Sequence, residues 1–269
     1  MNYYNEWDRA TAAWLRELIK QGLIPYGEVD DRSITEVTPG DLKGFTQCHF
    51  FAGIAGWSRA LHLAGIPATV PLWTGSPPCQ PFSQAGNQKG KYDERHLAPT
   101  FIKLIKQCRP PMLFGEQVAK AIETGWLDDL QTELAGAGYA VGAAVLSASG
   151  VGAPHKRERL YFGAVNGVAD SYRDQYRWSL PGSAGAEALA ALSVRPEFSE
   201  SWELSRTGSN VLGFWECADR HLCRDGKYRE VEPGTSPLAD GLPARVERLR
   251  GYGNAIVPQV GAMFIQSVL

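Results

Sequence analysis

Apolar positions first become periodic between Trp7 and Lys20. There Trp7, Ala10, Trp14, Leu15, Leu18 and Ile19 recur at helical spacing and predict an amphipathic helix stopped by Gly22. A polar segment from Gly27 to Gly44, rich in Asp, Glu, Thr and Gly, has no such rhythm. The apolar run Cys48-His49-Phe50-Phe51 then predicts a buried strand, which breaks into Ala52-Gly53-Ile54-Ala55-Gly56 before a short helix from Trp57 to Leu63. Strand, glycine turn and helix form the opening unit of a nucleotide-binding α/β fold. Helices follow over Leu97 to Cys108 and Trp126 to Leu134, with strands at Met112 to Phe114, Tyr139 to Leu146 and Leu160 to Val165. Alternating strands and helices predict a mostly parallel sheet covered on both faces.

The rhythm fades from Asn166 to Thr235, where Ser, Gly and Ala increase and Tyr172, Tyr176, Trp178, Trp202, Phe214 and Trp215 stand among polar residues. Order returns near Leu242 and ends in an apolar helix. The expected organisation is an N-terminal helix and acidic segment (1–45), a main α/β domain (46–165), a small separate region (166–235) and a C-terminal return to the main domain (236–269).

At 269 residues with 44% hydrophobic and 21% charged positions, the chain can bury a substantial core, which excludes a disordered polymer or a coiled-coil rod. Its net charge of −2 excludes a polyanion binder that works by bulk charge, and in 166–235 acidic residues outnumber basic ones. Five cysteines, Cys48, Cys79, Cys108, Cys217 and Cys223, are an odd and scattered set, so a disulfide framework is not expected. Cys217, His221 and Cys223 lack a paired CxxC and a clear fourth ligand, and no metal is expected. No apolar stretch approaches membrane-spanning length, so a cytoplasmic protein is expected.

Chemistry concentrates in Gly75-Ser76-Pro77-Pro78-Cys79-Gln80-Pro81-Phe82-Ser83. Each proline fixes its own φ and biases its neighbour away from helix, so this loop is stiff and extended and can aim a thiolate. A proline-flanked cysteine by itself also fits a buried thiol in a turn. The order of motifs around it decides. Phe51-Ala52-Gly53-Ile54-Ala55-Gly56, Pro78-Cys79-Gln80-Pro81-Phe82-Ser83, Glu116-Gln117-Val118, His155-Lys156-Arg157-Glu158-Arg159 and Gly253-Asn254-Ala255-Ile256-Val257 together resemble the DNA cytosine-5 methyltransferase family. They match its glycine-rich cofactor loop, nucleophile loop, Glu-Asn-Val motif, Gln-x-Arg-x-Arg pattern and C-terminal Gly-Asn motif, in the family's usual order.

The resemblance implies an α/β, Rossmann-like, S-adenosylmethionine-dependent methyltransferase sheet with a small target-recognition insertion at 166–235. It implies methyl transfer to C5 of cytosine in double-stranded DNA, with the base flipped out of the helix, by a bacterial or phage enzyme acting as a monomer beside a restriction system. C5 of cytosine is a poor nucleophile until a thiolate adds at C6, the role implied for Cys79. Glu116 is the implied acid at N3, and burial at a strand end would favour its protonated form. Arg157 and Arg159, two apart, share one face of an extended segment. Arg159 would meet the cytosine carbonyl oxygen, and Arg157 would support the loop or a phosphate. Phe51, Ala52, Gly53, Ile54, Gly56, Asn254 and Ala255 are implied for the cofactor, and Gln80 and Ser83 for the DNA backbone.

One departure from the family bears on the cofactor. Members usually carry two further strands between the glycine loop and the nucleophile loop, which supply acids for the cofactor's ribose and adenine. From Trp57 to Pro78 this chain has no Asp or Glu and no room for two strand-helix units. The acidic segment from Gly27 through Asp30, Asp31 and Asp41 resembles the missing part moved upstream, and an acid from it is expected to replace those contacts if it folds beside Gly53. Two other readings follow from the same residues: a catalytically silent DNA-binding relative, and the same covalent chemistry on RNA or with another transferred group. Ala55, His49, Gln117 and His155 stand where the family commonly has Gly, an acid, Asn and Gln.

Overall fold

The structure, a computed structural model, describes residues 1–78, 97–153, 155–167 and 253–269, together with two short strands at 219–222 and 228–231. In chain order the elements are β1 (Asn2–Asn5), α1 (Arg9–Lys20), β2 (Gly27–Asp30), β3 (Gln47–Phe50), α2 (Gly56–Leu63), β4 (Leu72–Gly75), α3 (Ala98–Cys108), β5 (Met112–Val118), α4 (Trp126–Ala135), β6 (Tyr139–Ser147), β7 (Glu158–Asn166), β8 (Asp219–Leu222), β9 (Tyr228–Val231) and α5 (Pro258–Val268). Seven strands form one sheet in the order β2-β1-β3-β4-β5-β7-β6, and β8 and β9 pair antiparallel in a second.

From β2 to β5 every pairing is parallel, whereas β7 runs antiparallel to both β5 and β6. The core is therefore α/β and mostly parallel, as the alternation predicts. The N-terminus differs from expectation. Tyr3-Tyr4 and Glu28-Val29 carry too few apolar residues to announce strands, yet β1 is wholly buried because β2 and β3 flank it and cover its edges. A single strand, β4, separates the glycine loop from the nucleophile loop. β5 also runs on beyond Phe114 to Val118, so Glu116 and Gln117 lie inside a central strand.

Strand alternation sorts the core into two layers. Trp73, Leu113 and Phe162 pack with Phe50, Phe101 and Trp126 on one face; Leu72, Phe114 and Tyr161 pack with Trp57, Val260 and Phe264 on the other. Helix α1 covers Tyr4 through Leu15. It begins at Asp8, whose carboxylate accepts the Thr11 backbone N–H at 2.9 Å, and Lys20 occupies its last turn, both favourable to the helix dipole. Helix α1 leads outward from β1 to β2, while α2 leads from β3 the other way to β4. The strand order thus reverses between β1 and β3, and the crevice beyond the carboxyl ends of these strands is where open α/β sheets bind ligands.

Candidate active site at the carboxyl edge of the sheet

Register sets the site. Asp30, Asn5, Phe50, Gly75 and Gly115 lie in one row across the sheet, and the residues just beyond them form the rim of the crevice. After β3 the chain turns sharply: Phe51 has φ 52°, Gly53 φ 54° and Ala55 φ 65°. Only glycine enters this left-handed region without steric cost, and Ala55, where the family commonly has glycine, accepts it with its methyl group buried beside Tyr4 and Leu15. A side-chain carbon built at Gly53 meets nothing within 4 Å, so this turn faces open space.

The carboxylate that reaches the glycine turn comes from β1. Glu6, one residue beyond that strand, accepts the Gly53 backbone N–H on Oε2 at 2.9 Å and the Asp8 backbone N–H on Oε1 at 3.0 Å. Trp7, next in the chain, is 68% exposed. The segment from Gly27 to Asp41 does fold onto the same edge of the sheet, but three of its acids, Asp30, Asp31 and Asp41, are engaged elsewhere. Asp30 accepts from the Tyr3 hydroxyl at 2.7 Å and from Arg32, contacts that outweigh its partial burial and hold its carboxyl down to about 2. Asp31 pairs with Arg16 at 3.0 Å and Asp41 with Arg32 at 3.4 Å. Glu6 lies ahead of the segment singled out in the sequence. A strand-acid-helix order, Tyr3-Tyr4-Asn5-Glu6 before α1, was the available signal.

Three strands away lies the second group. Gly75 and Gly115 face each other across β4 and β5 because a side chain at Gly115 would lie 2.0 Å from the Phe162 ring and 2.5 Å from the Gly75 carbonyl oxygen. This close approach brings Ser76 beside Glu116. The Glu116 carboxyl is buried and meets Arg159 Nε at 2.8 Å through Oε1. Desolvation raises its pKa; Arg159 and Arg157 act in the opposite direction without cancelling that effect. Gln117 points the other way along the strand. Its Nε2 donates to the Pro77 carbonyl oxygen at 3.1 Å, and its Oε1 accepts the Val118 backbone N–H at 3.0 Å. The longer amide therefore ties β5 to the root of the nucleophile loop.

Arg157, at φ 27°, donates from Nη2 to the carbonyl oxygens of Gly253 and Ala255 at 2.9 and 2.6 Å. The two arginines so divide: Arg159 meets the acid, and Arg157 holds the 253–255 segment against the sheet. Asn254 is exposed there, and Ala255 is half-buried. Of the residues proposed from sequence, Phe51, Ala52, Gly53, Ile54 and Gly56 share the glycine turn, while Glu116, Arg157, Arg159, Asn254 and Ala255 gather across the crevice. Cys79, Gln80 and Ser83 lie outside the described residues, as do Cys217, Cys223 and nearly all of the 166–235 region. Among the described residues no cluster of His, Cys, Asp and Glu could hold a metal ion.

Residues 57–171 match the model of the C-5 cytosine-specific DNA methylases. The match covers less than half of this chain and marks a similarity to that family. Similar members include the Type II methyltransferase M.AplI of Arthrospira platensis, 34% identical over 45% of this chain and 36% of its own length. The Type II methyltransferase M.NlaX of Neisseria lactamica is 38% identical over 47% and 42%, and the orphan methyltransferase M.SPRI of Bacillus phage SPR 29% identical over 71% and 43%. The chain spans less than half the length of these relatives. Among solved structures it is similar to the DNMT2 of Spodoptera frugiperda, at 18% identity and a TM-score of 0.38, over 61% of this chain and 50% of that one. The Rossmann-like character of its sheet is carried by the strand order itself. Among the described residues no helix is long and apolar enough to cross a membrane.

Proposed function

We propose that this protein transfers a methyl group from S-adenosylmethionine to C5 of cytosine in double-stranded DNA, through a transient bond between Cys79 and C6 of a flipped-out base. The observation that carries this reading is the Glu116 carboxyl: buried, raised in pKa by desolvation and paired with Arg159, with Gln117 next to it tied to Pro77 in the segment that leads into Cys79. Burial favours the protonated form of such a carboxyl, which can give its proton to N3 as the thiolate adds and so prevent charge from accumulating on the ring. Arg159 would meet the cytosine carbonyl oxygen while keeping Glu116 oriented, and Gln80 and Ser83 would hold the DNA backbone.

The crevice between β1 and β3 fits the cofactor. The open glycine turn admits a backbone approach, and the Glu6 carboxylate, aligned by two backbone N–H groups, would face a ribose diol there. The cofactor supplies an electrophilic methyl group. Phe51, Ala52, Gly53, Ile54 and Gly56 would line it from one side, with Asn254 and Ala255 closing from the other under the control of Arg157. The case for a catalytically silent relative rested on absent cofactor acids; Glu6 at Gly53 places a carboxylate at the glycine turn from an upstream strand. The 166–235 region is assigned to target recognition, and the organisation into 1–45, 46–165, 166–235 and 236–269 belongs to this proposal. So does action as a monomer in the cytoplasm. Bisulfite sequencing of DNA from cells expressing the chain tests it: protected cytosines in a defined sequence context are expected, and their absence in cells containing folded protein would contradict it.

A further inference from the structure

Ser76 and Pro77, the first two residues beyond β4, are each held by a buried side chain from a neighbouring element. Trp57 lies in the first turn of α2, directly after the glycine turn. Its indole stacks over Phe114 and meets Tyr161 edge-on, so its direction is fixed by packing. Its Nε1–H donates to Ser76 Oγ at 2.9 Å. From β5, Gln117 donates from Nε2 to the Pro77 carbonyl oxygen at 3.1 Å, while the Val118 backbone N–H holds its Oε1 at 3.0 Å. The two grips come from opposite faces of the sheet. Trp57 packs in the layer of Phe114, whereas Gln117 shares the face of Leu113, in the other layer, because residues two and four apart on a strand point the same way.

We propose that Trp57 and Gln117 are positioning residues that anchor Ser76 and Pro77 from the two faces of the sheet, and so fix the root of the segment that presents Cys79. This deepens the proposed function and rests on Cys79 as its nucleophile. The sequence makes the anchor effective at a distance. Peptide planes are rigid and the Pro78 ring locks its own φ, so one soft torsion, ψ of Pro78, lies between the anchored Pro77 carbonyl and the Cα of Cys79. Loosening either grip therefore carries over to the position of the thiol. Both donors are buried, so a bond once broken is not replaced by bulk water, and the bound arrangement is favoured.

The test isolates the covalent step. Randomised-sequence duplex DNA containing 5-fluorocytosine is mixed in excess with protein and S-adenosylmethionine, and rapid quenching follows the rate at which a denaturant-resistant complex appears. Trp57→Phe keeps an aromatic ring and removes the donor; Gln117→Met keeps the length and removes the amide. Each is expected to slow adduct formation by about 10- to 100-fold, the scale of a misplaced reacting group, while cofactor and DNA affinities stay at their wild-type values by isothermal titration. Ser76→Ala removes the acceptor of the Trp57 bond, so combining it with Trp57→Phe should slow the step no further than either change alone. Ser76→Thr, which keeps the hydroxyl, should react at the wild-type rate. A wild-type rate in folded Trp57→Phe or Gln117→Met, losses that multiply in the Trp57→Phe and Ser76→Ala pair, or a slow Ser76→Thr overturns the inference and leaves the proposed function standing. No adduct with the folded wild type overturns both.

Discussion

Glu6 accepts the backbone N–H of Gly53 across 47 positions of chain. That bond joins the end of β1, a strand the apolar pattern did not announce, to the turn expected to cradle a cofactor. β1, α1 and β2 extend the sheet beyond β3 although they precede the glycine turn in the chain. The sheet is preserved because parallel neighbours need only adjacent edges and a crossover connection, whatever their order in the sequence.

Glu6→Ala should weaken S-adenosylmethionine binding by about 10- to 100-fold, the scale of hydrogen bonds to a charged acceptor. Isothermal titration measures this directly, with thermal unfolding as the check that the variant remains folded. Equal affinity in a folded variant would remove Glu6 from the cofactor site.

Gly115→Ala should destabilise the protein by about 3 kcal/mol, because its new side chain has rigid neighbours, a ring and a backbone oxygen, on both sides. Gly142→Ala, on β6 with nothing within 4 Å, serves as the control and should change stability by less than about 0.5 kcal/mol. Urea unfolding compares the two. Similar losses in both would mean that the close approach of β4 and β5 is not what requires glycine.

His49 predicts an acid-sensitive core. It stacks on Tyr4 at 4.9 Å and its Nδ1 lies 2.8 Å from Thr74 Oγ1, and complete burial drives its pKa down to about 3. The unfolded chain therefore binds a proton below about pH 6.5 that the folded chain refuses until about pH 3, so this residue lowers stability progressively as pH falls through that window. Its share approaches about 1.4 kcal/mol per pH unit. Urea unfolding between pH 7 and 4 should show that slope in the wild type and lack it in His49→Gln, after the carboxylate contribution common to both is subtracted. Parallel pH curves would show that His49 is protonated in the fold.

Much of the main sheet was legible because apolar strands and amphipathic helices leave recognisable runs and periodicity: β3, α2, α3, α4, β6, β7 and α5 all lie near their expected positions. What failed were strands whose burial comes from neighbours. β1 has two tyrosines and β2 one valine, and only the flanking strands make either a sheet element. Leu72-Trp73 of β4 sat between a glycine-ended helix and a proline loop and was too short to register. At the site, residue types and order pointed to Glu116, Arg157 and Arg159, but their division of labour is a matter of geometry: the turn at Arg157 sends one guanidinium to the 253–255 carbonyls and leaves the other for the acid. Ser76 and Trp57 carried no motif signal apart from their nearness to the two loops.

The central claim is a transient bond from the Cys79 sulfur to a cytosine ring. Randomised-sequence duplex DNA containing 5-fluorocytosine, incubated with S-adenosylmethionine and the protein, traps such an adduct because the fluorine blocks its release. The account predicts a denaturant-resistant protein–DNA complex with the wild type and none with Cys79→Ala; no complex with folded wild type, or an equal yield from both, would contradict it.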